Sequence, residues 1–123
     1  MQYIGKINID IFEEEFGKLQ TSDVILTDER RKHIKERHQN DYELFEKYSK
    51  TILEMPDIIL KDTKNENTVF IIKHIAETNM NIIVKLAVSD DIKHPKNSIM
   101  TAYRIREKNL KKLEKNNKTL YKL

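Results

Sequence analysis

Ile82-Ile83-Val84-Lys85-Leu86-Ala87-Val88 is the run that decides the fold. It is β-branched and apolar apart from one lysine. Turn chemistry bounds it, with Glu77-Thr78-Asn79 before it and Ser89-Asp90-Asp91 through Pro95-Lys96-Asn97 after it. Such a run reads as a strand whose faces are largely covered. Ile58-Ile59-Leu60, Val69-Phe70-Ile71-Ile72 and Ile99-Met100-Thr101-Ala102-Tyr103 have the same texture, and Lys64-Asn65-Glu66-Asn67 separates the first two. Short connections make sequential strands antiparallel neighbours, so a four-stranded antiparallel meander is expected.

Helical signals fill the other half of the chain. Asp10-Ile11-Phe12-Glu13 has the form of a capping box and predicts a short helix ending near Gly17. After the brief extended piece Asp23–Leu26, Thr27 is placed to cap a helix, and Asp28 and Glu29 favour its dipole. That helix should run to about His38. Asn40 or Asp41 caps the next, which carries Tyr42, Leu44, Phe45, Tyr48, Ile52 and Leu53 and is stopped by Pro56. A last helix is predicted from about Arg106 to Lys115, inside a basic helical tail of about residues 105–123. The expected fold is α+β, with N-terminal helices packed on the meander and a basic helix at the C-terminus. A chain of 123 residues makes one domain, residues 1–123.

Composition narrows the chemistry. The chain has no cysteine, which excludes disulfides and thiolate metal sites within it. No apolar run approaches the roughly 20 residues that span a bilayer, and Met1-Gln2-Tyr3-Ile4-Gly5-Lys6 lacks the features of a signal peptide. The expectation is a cytoplasmic protein with no membrane partner. The net charge of +3 conceals an asymmetry: from Arg104 onward eight Lys/Arg face two Glu, so the tail is at +6 and the body at −3. A basic end on an acidic body is a surface for polyanions, although a solvated charge-rich helix has the same composition. Two glycines leave no room for a phosphate-binding loop, the acidic residues are scattered, and the histidines lack metal-ligand spacing. No metal and no cofactor are therefore expected.

The helix at residues 28–38 is nearly all charged. At about 100° per residue Arg30, Ile34 and His38 fall on one stripe, flanked by Arg31 and Arg37. If Ile34 anchors the helix to the sheet, Arg30 and His38 lie at that interface, where a histidine can move a proton and guanidinium groups can hold phosphate. The helix dipole alone also accounts for a histidine in the last turn. His33 is about 140° from His38 around a regular helix, too far to share a metal. In the sheet, Lys73 and Lys85 interrupt apolar strands. Strict alternation puts Thr101 and Tyr103 on one face and Ser98, Met100 and Arg104 on the other. An antiparallel sheet with one wet face would hold the same residues.

Several stretches together resemble the phage-associated members of the barnase–EndoU–colicin–RelE superfamily of nucleases. They are Ile34-Lys35-Glu36-Arg37-His38, the Tyr42–Pro56 helix with Asp57-Ile58-Ile59, Lys64-Asn65-Glu66-Asn67-Thr68, Val84-Lys85-Leu86-Ala87 and Lys96-Asn97-Ser98-Ile99-Met100-Thr101. Their order matches over roughly residues 3–110. The resemblance implies a metal-independent ribonuclease of phage or toxin type on a helix-then-meander fold. Carried onto matching positions, it implies a catalytic set of Arg37, His38, Lys85, Ser98 and Thr101. His38 would act as acid or base, Arg37 and Lys85 as electrostatic stabilisers, and Ser98 and Thr101 as phosphate-positioning hydroxyls. Tyr103 would stack a base or share in proton transfer. Arg30, Arg104, Arg106, Lys108, Lys111 and Lys112 would add to the RNA-binding surface.

The implied partners are RNA, tRNA among the candidates, and an acidic antitoxin or immunity protein that masks the basic tail. The rival reading is a non-catalytic RNA- or protein-binding module on the same fold, such as a phage inhibitor or a toxin–antitoxin component. DNA binding fits less well, because no helix-turn-helix spacing is present.

Overall fold

The computed structural model describes all 123 residues. Seven strands and four helices follow one another as β1 (Gln2–Lys6), α1 (Ile9–Phe16), β2 (Asp23–Leu26), α2 (Asp28–Arg37), α3 (Tyr42–Glu54), β3 (Ile58–Lys61), β4 (Thr68–Ile75), β5 (Thr78–Lys85), β6 (Asn97–Ile105), α4 (Glu107–Asn116) and β7 (Lys118–Lys122). The class is α+β. No helix is long and apolar enough to cross a membrane.

The sheet is larger than a meander. Its order is β1-β2-β6-β5-β4-β3-β7. The expected antiparallel meander β3-β4-β5-β6 forms its centre, but β2 joins β6 in parallel and β7 adds to β3. The four-stranded expectation therefore falls short by three strands. Strands β1 and β7 are short and polar, with little apolar content to mark them, and β2, expected as the extended piece Asp23–Leu26, carries no sign of its parallel partner. Edge strands tolerate such composition, and the lysines of Lys118-Thr119-Leu120-Tyr121-Lys122 suit an open edge. The tail is thus helical only as far as Asn116.

Local chemistry sets the ends of the helices. Thr27 caps α2, its hydroxyl accepting from the Arg30 amide at 3.2 Å. The capping-box reading places the α1 cap at Asp10, but Asn8 takes that role and accepts from the Asp10 amide at 3.1 Å. Asp41 precedes α3 without capping it, because its carboxylate is committed elsewhere. One oxygen accepts the Arg104 amide at 3.0 Å and the other the Arg104 Nε at 2.5 Å.

The main core lies on one face of the sheet. Phe12 of α1, Ile34 of α2 and Phe45, Ile52 and Leu53 of α3 pack with Ile71, Ile82, Val84, Ile99 and Ala102. On the other face a smaller core joins Leu110 of α4 to Ile58, Leu60, Phe70, Ile72 and Ile105. Helix α4 reaches only part of this second face, and the remainder lies open toward α2.

A single buried side chain makes the parallel junction. Asn97 is fully buried. Its Oδ1 accepts the Ala87 amide at 2.7 Å, and its Nδ2 donates to the Thr21 and Asp23 carbonyls at 2.8 and 3.0 Å. Beyond that junction β2 pairs with β6 over two residues only. The chain then turns at Thr27, and α2 packs along the free length of β6.

Candidate nucleic-acid site on the open sheet face

The open face is set by register. Lys85 is opposite Ser98, Ile83 opposite Thr101, Asn81 opposite Tyr103 and Asn79 opposite Ile105. Directly opposed residues in an antiparallel pair project from the same side. Between Ile83 and Val84 the register slips, and Met100 is the extra residue. A bulge of this kind overturns the alternation expected from sequence: Ser98, Thr101 and Tyr103 share one face with Lys85. Met100 joins Ser98 in lining the groove described next, while Arg104 is engaged by Asp41.

A groove of about 440 Å³ occupies one end of this face. It gathers Arg30 from α2, Lys85 from β5, Ser98 and Met100 from β6, and Lys93 and Lys96 from the loop before β6. Four cations thus face one carboxylate, that of Glu29. Neither Lys85 nor Arg30 is spent in an ion pair within the chain. The Ser98 hydroxyl donates to the Lys96 carbonyl at 3.3 Å, which fixes the loop against the strand.

A pair of histidines lies at the other end of α2. His38 is the C-cap of the helix, with φ −130° and ψ 49°. Leaving helical geometry there swings its imidazole onto Tyr103, with ring centroids 5.0 Å apart and planes at 30°. His33 stands 6.5 Å away, edge toward face at 70°. The 140° separation of a regular helix does not hold, because His38 is no longer in the helix. Arg37 is exposed and makes no ion pair. It follows Arg30 and His33 at the three- and four-residue spacing that lines up one side of a helix.

The two clusters are distinct. Ser98 and Tyr103 are five residues apart on β6, one of them bulged, so roughly 13 Å of strand separates them. His38 is therefore not in contact range of Lys85. The expected catalytic set is divided into a cationic groove and an imidazole–phenol cluster. No family model, curated protein or solved structure matches the chain. What the face can do rests on its own side chains.

Thr101 lies between the clusters, but its hydroxyl is buried and unpartnered, and it lines neither the cationic groove nor the one beside α4. Among the basic residues of the C-terminal region, Arg104 and Lys112 line a second groove beside α4, and Arg106, Lys108 and Lys111 are exposed. No three His, Asp or Glu side chains come together in the manner of a metal site. Sequence reasoning missed His33, Lys93 and Lys96. Only the break in helical geometry at His38 brings His33 into play, and only the folded loop carries the two lysines to Lys85.

Proposed function

We propose that the chain is a metal-independent endoribonuclease that cleaves RNA by attack of a ribose 2′-OH on the adjacent phosphate. The observation that carries this reading is the His33–His38–Tyr103 cluster at one end of an open cationic face. One imidazole takes the 2′-OH proton, and the 2′-oxygen bonds to phosphorus. The bond from phosphorus to the 5′-oxygen breaks as the second imidazole gives that oxygen a proton. The products are a 2′,3′-cyclic phosphate and a free 5′-hydroxyl. Arg37 lies beside the cluster to stabilise charge on the phosphate, and Tyr103 holds His38 in place. Arg30, Lys85, Lys93 and Lys96, with the Ser98 hydroxyl, hold a phosphate further along the same strand.

The division of labour follows from the 13 Å gap. A groove rich in cations but remote from His33 and His38 binds phosphate, with His94 at its rim; the imidazole pair at the other end, with Arg37 beside it, moves protons. Phage or toxin-type biology, a tRNA target and masking by an acidic antitoxin or immunity protein belong to the same reading. The rival binding module predicts retention of intact RNA. The distinguishing experiment uses a short RNA and its counterpart carrying one 2′-deoxyribose at the cleaved position, both in excess EDTA. Cleavage of the first and survival of the second support the reading. Equal cleavage of both removes 2′-OH attack from it, and survival of both favours the binding module.

A further inference from the structure

Tyr103 also borders a second groove, of about 570 Å³, between α4 and the sheet. That volume lies within the roughly 300–1,000 Å³ of small-molecule sites. Its floor is apolar: Phe70, Ile83 and Ile105 come from three adjacent strands, and Leu113 adds a wall from α4. The α4 rim is polar but lightly charged, with the amides of Asn109 and Asn116 and the ammonium of Lys112. The side chains of Asn109, Asn116 and Lys112 make no hydrogen bond or ion pair within the chain. By contrast Asp62, on the opposite rim, and Asn117, the C-cap of α4, are engaged. Asp62 accepts the Lys64 amide at 2.8 Å, and Asn117 accepts the Thr63 amide at 3.1 Å.

A buried side chain beside this floor has the same chemistry. Asn81 is fully buried, and neither its Oδ1 nor its Nδ2 has a partner. It precedes Ile83 by two residues on β5 and is opposite Tyr103, so it shares the face that floors the groove. Its donor and acceptor stand unused beside Tyr103 on that face.

We propose that this groove is a nucleobase subsite, which takes one unpaired base of the RNA next to the bond cleaved at His33 and His38. The inference rests on the ribonuclease reading and names what that site recognises. An apolar floor suits the faces of a base. Primary amides, each with a donor and an acceptor, suit its hydrogen-bonding edge. The groove adjoins the imidazole cluster through Tyr103, so base and scissile phosphate come from neighbouring nucleotides.

The test is a titration of the full chain, followed by NMR, with the four 3′-nucleoside monophosphates and with inorganic phosphate. The expected result is that at least one nucleotide shifts the Asn109 and Asn116 side-chain amides and the Tyr103 ring, while inorganic phosphate does not. Asn109→Ala with Asn116→Ala, both exposed positions, should weaken that nucleotide roughly tenfold, the scale of contacts to a single base. Binding of inorganic phosphate should not change. If every probe shifts only Arg30 and Lys85, the base subsite is overturned and the ribonuclease reading stands. If no probe shifts either region, the subsite is overturned and the reading loses its support as well.

Discussion

The imidazole of His38 lies on the phenol ring of Tyr103, centroids 5.0 Å apart, and His33 stands 6.5 Å behind it. The stack holds the C-cap side chain where the helix no longer can. If Tyr103 positions His38 and His33 is the second proton carrier, Tyr103→Phe keeps the stack and loses less than roughly tenfold in kcat. His33→Gln loses about 10²–10⁴-fold, the cost of removing a proton-transfer group. Rates on one short RNA across pH check both. A large loss in Tyr103→Phe with none in His33→Gln would move the proton role to the phenol.

Asn97 and Asn81 are both fully buried, but only Asn97 is satisfied. Their substitutions should have opposite signs. Asn97→Ala strands an amide and two carbonyls at the parallel junction and should cost at least about 3 kcal/mol, since each orphaned group costs roughly 1–3 kcal/mol. Asn81→Leu removes two orphans at similar volume and should stabilise the chain by at least about 2 kcal/mol. Urea unfolding of the two variants beside the parent measures both. A stabilised Asn81→Leu that also binds nucleotide more weakly would mark the residue as kept for function.

Much of the fold was legible because it is local. Thr27, Pro56 and the β-branched runs mark α2, α3 and the four central strands. The hairpin between β4 and β5 escaped detail because Ala76 and Glu77, with φ of 51° and 64°, occupy a turn that usually advertises itself as Asn-Gly. The strand expected over residues 82–88 accordingly begins earlier, at Thr78, and ends at Lys85. Strands β1 and β7 lack an apolar signature because they lie at the edges. In the site, Arg30, Lys85 and Ser98 do meet, while His38 lies apart. Alternation misplaced Ser98 because one bulged residue reverses the faces, and nothing in the composition of Met100 announces a bulge.

Lys85 is unpaired in the cationic groove, so its effect on RNA should be electrostatic. Lys85→Ala, in a His38→Ala background to prevent cleavage, should weaken single-stranded RNA of any sequence by a similar factor. The slope of log K against log salt should fall by about 0.7. Anisotropy titrations over a range of KCl read the slope directly. An unchanged slope would remove Lys85 from the phosphate track.

Glu15 of α1 ties the helix to both β3 and β7, with Lys118 at 3.0 Å and Lys61 at 3.2 Å. These bonds, that from Lys118 foremost, hold its carboxyl below the ordinary value of 4.5. A carboxyl lowered in the folded state contributes fully above its ordinary value, and the contribution disappears as pH falls through the lower, folded one. Glu15→Gln should therefore reduce stability at pH 7 and flatten its decline below about pH 4.5. Urea midpoints between pH 7 and pH 3 test this, and parallel curves for parent and variant would contradict it.

The most direct measurement is incubation of the purified protein with a short RNA in excess EDTA, beside a His38→Ala variant, with the product ends identified by mass. The expected result is cleavage that survives EDTA, ends in a 2′,3′-cyclic phosphate and falls by about 10²–10⁴-fold in the variant. RNA left intact over a broad panel of sequences, or cleavage that His38→Ala does not slow, would contradict it.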